Sequence, residues 1–180
     1  VWEHDLGEKA SVEFIGHGPR EYTVVANGKL TSVEKRRKVK IFRYLSMVPI
    51  PTKVMVVGIA EFSEEVSGNV DGIVIQSFTY PENEKEAGKD LSLAPSILDF
   101  YISYIAPYEF EKLDNVQSTT RFGGMENAGC IFYDEDALYI VTLCYNSNAV
   151  IRNGIHSYYI SNAYRMSLHS SRDEVQDSSF

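Results

Sequence analysis

Gly123-Gly124-Met125-Glu126-Asn127 lies between the run Val116-Gln117-Ser118-Thr119-Thr120-Arg121-Phe122 and the apolar patch Cys130-Ile131-Phe132-Tyr133. A pair of glycines alone would mark only a bend. Here a carboxylate and an amide follow at once, inside sequence that reads as strand on both sides. Glycine has no Cβ, so another backbone can approach it closely. A fixed negative charge beside such backbone is what a site for a peptide amino terminus needs. Gly123, Gly124, Met125, Glu126 and Asn127 are therefore the candidate binding residues. The simpler reading is a glycine bulge with Glu126 at the surface.

Upstream of this stretch the chain alternates between β and α signals. Lys112 to Gln117 is a strand candidate leading into the glycines. Leu91, Ala94, Leu98, Tyr101 and Ile105 fall on one helical stripe. Pro95 is comfortable only in a first turn, so the helix is expected to start near Ala94 or to kink there. Pro81 to Lys89 reads as a polar loop, Val70 to Tyr80 as one strand, and residues 63–69 as a connection. Residues 1–62 read as β throughout. Val12 to Ile15 and Val39 to Tyr44 are strand candidates. Tyr22 to Ala26 runs into Asn27-Gly28, which predicts a two-residue hairpin leading to Lys29-Leu30. Lys53 to Phe62 is nearly continuous apolar sequence, expected of a strand covered on both faces. The basic run Lys35-Arg36-Arg37-Lys38 reads as a solvated hairpin edge.

Composition narrows the function classes. The 180 residues include 17 basic and 25 acidic side chains, a formal charge of −8. Nucleic-acid binding normally shows a basic face, which this balance argues against. Hydrophobic residues at 44% and charged residues at 23% are ordinary globular values. No stretch approaches the ~18 apolar residues of a membrane span. Two cysteines, Cys130 and Cys144, are too few for a disulfide framework and do not decide a compartment. Residues 137–180 change character: they hold no lysine and their charges balance, so the acidic excess belongs to residues 1–136. The last dozen residues are expected to be disordered.

Several stretches taken together carry a resemblance. Tyr108-Glu109-Phe110-Glu111-Lys112-Leu113-Asp114, Val116-Gln117-Ser118, Gly123 to Asn127 and Ile131-Phe132-Tyr133 resemble the aminopeptidase N family of zinc metallopeptidases. Upstream, Glu8-Lys9-Ala10, Val12-Glu13-Phe14, Tyr22 to Gly28 and Pro51 to Phe62 sit in the family's order, so the resemblance covers about residues 1–136. It implies a mixed, mainly β fold with some α. Residues 1–66 would be the C-terminal part of the family's N-terminal β-domain, 67–136 the start of a thermolysin-like catalytic domain, and 137–180 a divergent tail. It also implies roles. Glu126 would hold the free α-ammonium of a peptide, Gly123 and Gly124 would pair with its backbone as an added strand, and Met125 would lie near its first side chain.

The family's hydrolysis needs zinc, held by His-Glu-x-x-His and a more distant glutamate. The four histidines here are His4, His17, His156 and His169, and none has a partner four residues away. No catalytic residue and no metal ligand is assigned, and no zinc is expected on this chain. Two readings follow. One is a zinc aminopeptidase fragment that binds peptides with a free N-terminus but does not cut them alone. The other is a non-catalytic peptide-binding or interaction protein derived from that family. The family pattern stops after Asp134-Glu135-Asp136-Ala137, so residues 139–180 read as the product of a truncated, frame-shifted or misassembled reading frame.

Overall fold

The computed structural model describes residues 7–120 and 123–135. The segment 137–180, with the disorder and altered frame expected there, lies outside the described residues, as do His4, His156 and His169. The fold is mixed and mainly β. Ten strands are described: β1 (Lys9–Pro19), β2 (Thr23–Ala26), β3 (Lys29–Lys35), β4 (Val39–Pro51), β5 (Val57–Ala60), β6 (Ser63–Val70), β7 (Ile73–Thr79), β8 (Lys112–Ser118), β9 (Gly124–Asn127) and β10 (Cys130–Asp134). Two helices, α1 (Glu84–Leu91) and α2 (Ala94–Tyr104), connect β7 to β8. None of the described helices is long and apolar enough to cross a membrane.

The strands form three sheets. One is three-stranded in the order β1-β4-β3, one five-stranded in the order β6-β7-β8-β10-β9, and one pairs β2 with β5. In the large sheet β7, β8 and β10 run parallel, while β6 and β9 are antiparallel to their neighbours. Parallel neighbours need a long crossover, and α1 with α2 supplies it between β7 and β8. The sheet has two covered faces. Ile73, Ile75, Leu113, Ile131 and Tyr133 join Ala87, Leu91, Ala94 and Leu98 in the core under the helices. Phe78, Val116, Cys130 and Phe132 pack on the other face against Val25 of β2. Val24 and Ala26 point the opposite way, onto Phe42 and Tyr44 of the three-stranded sheet.

Five expectations are corrected by this arrangement. Asn27-Gly28 is not a hairpin: β2 pairs with β5 and β3 with β4, so the dipeptide hands the chain from one sheet to another. Lys53 to Phe62 is not a doubly covered strand. Its first residues form a single 3-10 turn, only Val57–Ala60 is strand, and Val57 and Ile59 are 45% and 47% exposed. In this half of the chain it is β2 that is covered on both faces, being buried at all four positions. Residues 63–69 are not a connection but most of β6, an edge strand of the large sheet, so the change of sheet falls at 61–62. The Val70 to Tyr80 run is broken by a two-residue turn at Asp71 (φ 50°) and Gly72 (φ 86°). Two successive positive φ values suit the twist of an antiparallel pair, and here they join β6 to β7. Lastly, Pro81 to Lys89 is not a loop: a 3-10 turn at Pro81–Asn83 leads directly into α1.

Other expectations hold. Pro95 sits in the first turn of α2, where its missing N–H costs nothing. Lys35 to Lys38 forms the solvent-exposed end of the β3–β4 hairpin. There the Arg36 N–H donates to the Val39 carbonyl at 2.8 Å.

Candidate functional site

The five candidate residues lie together on and beside β9. Gly123 precedes the strand, and its carbonyl accepts from the Asp134 N–H at 3.2 Å. Gly124 to Asn127 pair antiparallel with β10: Gly124 with Tyr133, Met125 with Phe132, Glu126 with Ile131 and Asn127 with Cys130. The chain does not lay these strands down in order. β10 inserts beside β8, and β9 is left as the outermost strand. Among the described residues no strand pairs with its outer edge. Such an edge presents a row of backbone donors and acceptors that can take up another extended chain.

Alternation along β9 divides its side chains between two layers. Gly124 and Glu126 share the face of Tyr133 and Ile131, which is the helix side. Met125 and Asn127 share the face of Phe132 and Cys130, the side of β2 and β5. Glu126 is half-buried, Met125 is 37% exposed and Asn127 is buried. Gly124, two residues before Glu126 on the same face, carries no side chain. A carboxylate at that position can accept charge-assisted hydrogen bonds from an ammonium group. Asn127 turns inward, and its Nδ2 donates to the Met125 carbonyl at 3.3 Å.

The turn between β9 and β10 is pinned from two directions. The Gly129 carbonyl accepts from the Asp114 N–H of β8 at 3.0 Å. The Ala128 carbonyl accepts from Nδ2 of Asn27 at 2.9 Å. Asn27 is fully buried, and its amide also donates to the Val54 carbonyl at 3.0 Å and accepts from the Val56 N–H at 2.6 Å. Sequence reasoning assigned Asn27 to a two-residue hairpin turn and missed this. The signal that could have found it is the position of the residue, at the end of a strand apolar on both faces. Buried amides without partners are rare, so an asparagine there calls for specific ones.

Beneath the other side of the site lies a buried ion pair. Lys112 Nζ donates to Asp114 Oδ2, and the ammonium also sits 4.7 Å from the centre of the Tyr44 ring. Burial pushes the Asp114 carboxyl up from the usual aspartate range, and the neighbouring Lys112 charge pulls it part of the way back. The Cys130 thiol is pushed well up by burial, which leaves it an inert apolar group rather than a nucleophile. A cleft of about 340 Å³ opens between β5, Phe62, Tyr80 and the end of β8, with Phe132 in its wall. Phe132 is the cross-strand neighbour of Met125, so the cleft lies on the Met125 side of the sheet.

Among the described residues no group of three or more His, Cys, Asp or Glu side chains could hold a metal ion. His17, the one histidine among them, is exposed on β1. The described residues therefore do not fit the zinc site that the family resemblance implies. Compared with protein-family models and with curated proteins, the chain matches none.

Proposed function

We propose that the β9 edge of this chain binds the free amino end of extended peptides, as the amine-anchoring part of a zinc aminopeptidase site. The observation that carries the reading is the placement of Gly124 and Glu126 on one face of an unpaired edge strand. A peptide added to that edge gains backbone hydrogen bonds whatever its sequence. Glu126 supplies the discrimination, since its carboxylate accepts from an ammonium but not usefully from an acetylated nitrogen. On the opposite face, the cleft lined by Phe132, the cross-strand neighbour of Met125, offers space for a peptide side chain. Peptide-bond hydrolysis requires an activated water, which zinc supplies in the family. The described residues bring no ligand set for it, so binding without turnover is the expected behaviour.

The test compares a short peptide with its N-acetylated twin by calorimetry, on the wild-type chain and on Glu126→Gln. A charge-assisted hydrogen bond contributes roughly 1.5–3 kcal/mol, so the free amine is expected to bind roughly 10- to 100-fold more tightly. Glu126→Gln should bring the two peptides to nearly equal affinity. Equal binding by the wild type, or no binding of either peptide, sinks the proposal. Purified protein should also hold little zinc and release no N-terminal residue from an aminoacyl substrate. Turnover with stoichiometric zinc would contradict the binding-only reading.

A further inference from the structure

Asn27 stands 101 residues before the turn it reaches. Its side-chain amide has two N–H donors and an acceptor oxygen, and all three functions are used. One N–H goes to the Ala128 carbonyl in the β9–β10 turn, the other to the Val54 carbonyl. The oxygen takes the Val56 N–H. Both partners outside the turn belong to the segment that leads into β5. The amide thus joins the body formed by β2 and β5 to the turn that follows Glu126 and Asn127. At the far edge of the large sheet Thr23 Oγ1 of β2 also donates to Glu64 Oε1 of β6 at 2.7 Å, while the contacts between β2 and the β8–β10 region are apolar and non-directional. Val25 packs on Phe78, Val116 and Phe132, and nothing in such packing fixes a strand along its own axis.

We infer that Asn27 is a positioning residue for the β9 edge. By holding Ala128 it fixes the height of the β9–β10 hairpin relative to β5, and with it the distance of Glu126 and Met125 from the cleft beside Phe132. The inference concerns geometry; its consequence for amine recognition rests on the peptide-binding reading above. The residue type fits the task. Aspartate could accept from Val56 but could donate to neither carbonyl. Leucine would fill the space and satisfy none of the three groups. Gly28 follows at φ 81°, where an added Cβ would lie 2.4 Å from backbone atoms of Leu45 and Ser46. The chain is therefore tightly seated next to Asn27, which holds the amide in place.

The experiment is amide hydrogen exchange on the full chain, with Asn27→Asp as the main variant and Asn27→Ala as a harsher second. Loss of the anchor should speed exchange in β9, β10 and the 54–56 segment about tenfold or more, with β7 and β8 changed less than about threefold. Uniform acceleration over all strands would make Asn27 a general stability residue and overturn the inference. If both variants unfold, the wild type still decides: Val56 should open together with the β9–β10 turn, and independent opening overturns the inference. The binding assay adds a readout that mere destabilisation does not move. Well below the unfolding midpoint, the preference of Asn27→Asp for free over acetylated peptide should fall about tenfold, the equivalent of one lost hydrogen bond, while acetylated peptide binds as before. A wild type that shows no amine preference would refute the peptide-binding reading alone, since the exchange pattern reports on Asn27 independently.

Discussion

Lys112→Met should destabilise the chain more than most truncations of its core. Lys112 and Asp114 are 5% and 1% exposed, so the lysine is the main group that compensates a carboxylate withdrawn from water. Oδ1 of that carboxylate has no hydrogen-bond partner among the described residues, which leaves the ion pair to Oδ2 as its chief compensation. Removing one partner of a buried pair costs about 3–5 kcal/mol, because the other charge stays buried. With a urea m value of about 2 kcal/mol/M, the unfolding midpoint should fall by roughly 2 M. Replacing both groups, as in Lys112→Met with Asp114→Leu, should return most of that loss, since an apolar pair of similar volume is often neutral or better.

The pH dependence separates this mechanism from simple loss of packing. The Asp114 carboxyl is raised in the folded state by burial and lowered again by Lys112. An acid raised on folding favours the native state below its unfolded pKa and disfavours it as pH climbs through the folded value. Lys112→Met removes the lowering influence, so the folded value climbs further and the penalty spans a wider range. The gap between wild type and variant should therefore be small near pH 4 and widen toward pH 7. Circular dichroism during urea titrations at several pH values measures it. A gap that is constant with pH, or a double variant no better than the single one, would refute the account.

Three further outcomes follow from close approach and burial. Gly28→Ala should cost more than about 3 kcal/mol, because the added Cβ meets the Leu45–Ser46 backbone at 2.4 Å. Gly72→Ala has the same left-handed backbone but nothing within 4 Å, so it should cost only about 1–2 kcal/mol in a urea titration. Cys130, fully buried with a raised thiol pKa, should resist iodoacetamide in the native chain. Mass spectrometry of its peptide should show labelling rising only as the chain unfolds, and rapid native labelling would contradict its placement.

The sequence was legible wherever a local signal and the tertiary environment agreed. Pro95 in a first turn, the Lys112 to Gln117 strand and the exposed Lys35 to Lys38 corner needed no long-range information. Asn27-Gly28 and Asp71-Gly72 carry the same turn chemistry, and only the second makes a hairpin. The difference lies in what pairs beyond each turn. Ala26 is drawn to β5 by the core around Val25, whereas Val70 and Ile73 simply continue their own ladder. α1 was hidden because it is polar overall: within Glu84–Leu91 the buried apolar side chains are only Ala87 and Leu91. β6 was hidden because Glu64, Glu65 and Asn69 are poor strand formers that the β7 edge holds extended. The candidate site was legible as residues but not as a surface. Strand order and the Asn27 anchor both depend on contacts far apart in the chain.

Composition and length distinguish β9 from the open edges at β3, β6 and β5. β3 is exposed at all seven positions, but Lys29 and Lys35 at its ends discourage another strand from pairing there. β6 carries Glu64 and Glu65, and it is seated against α2 through a partly buried Val70. β5 is short and offers Val57 and Ile59 without any charge to select a partner. β9 is also only four residues long, which limits pairing with a second copy of the chain. It differs in combining that short edge with two glycines and a half-buried carboxylate. A short edge cannot bind a long strand strongly by backbone bonds alone. Useful affinity there has to come from one strong polar contact at a defined position, and Glu126 is the group on β9 able to provide it.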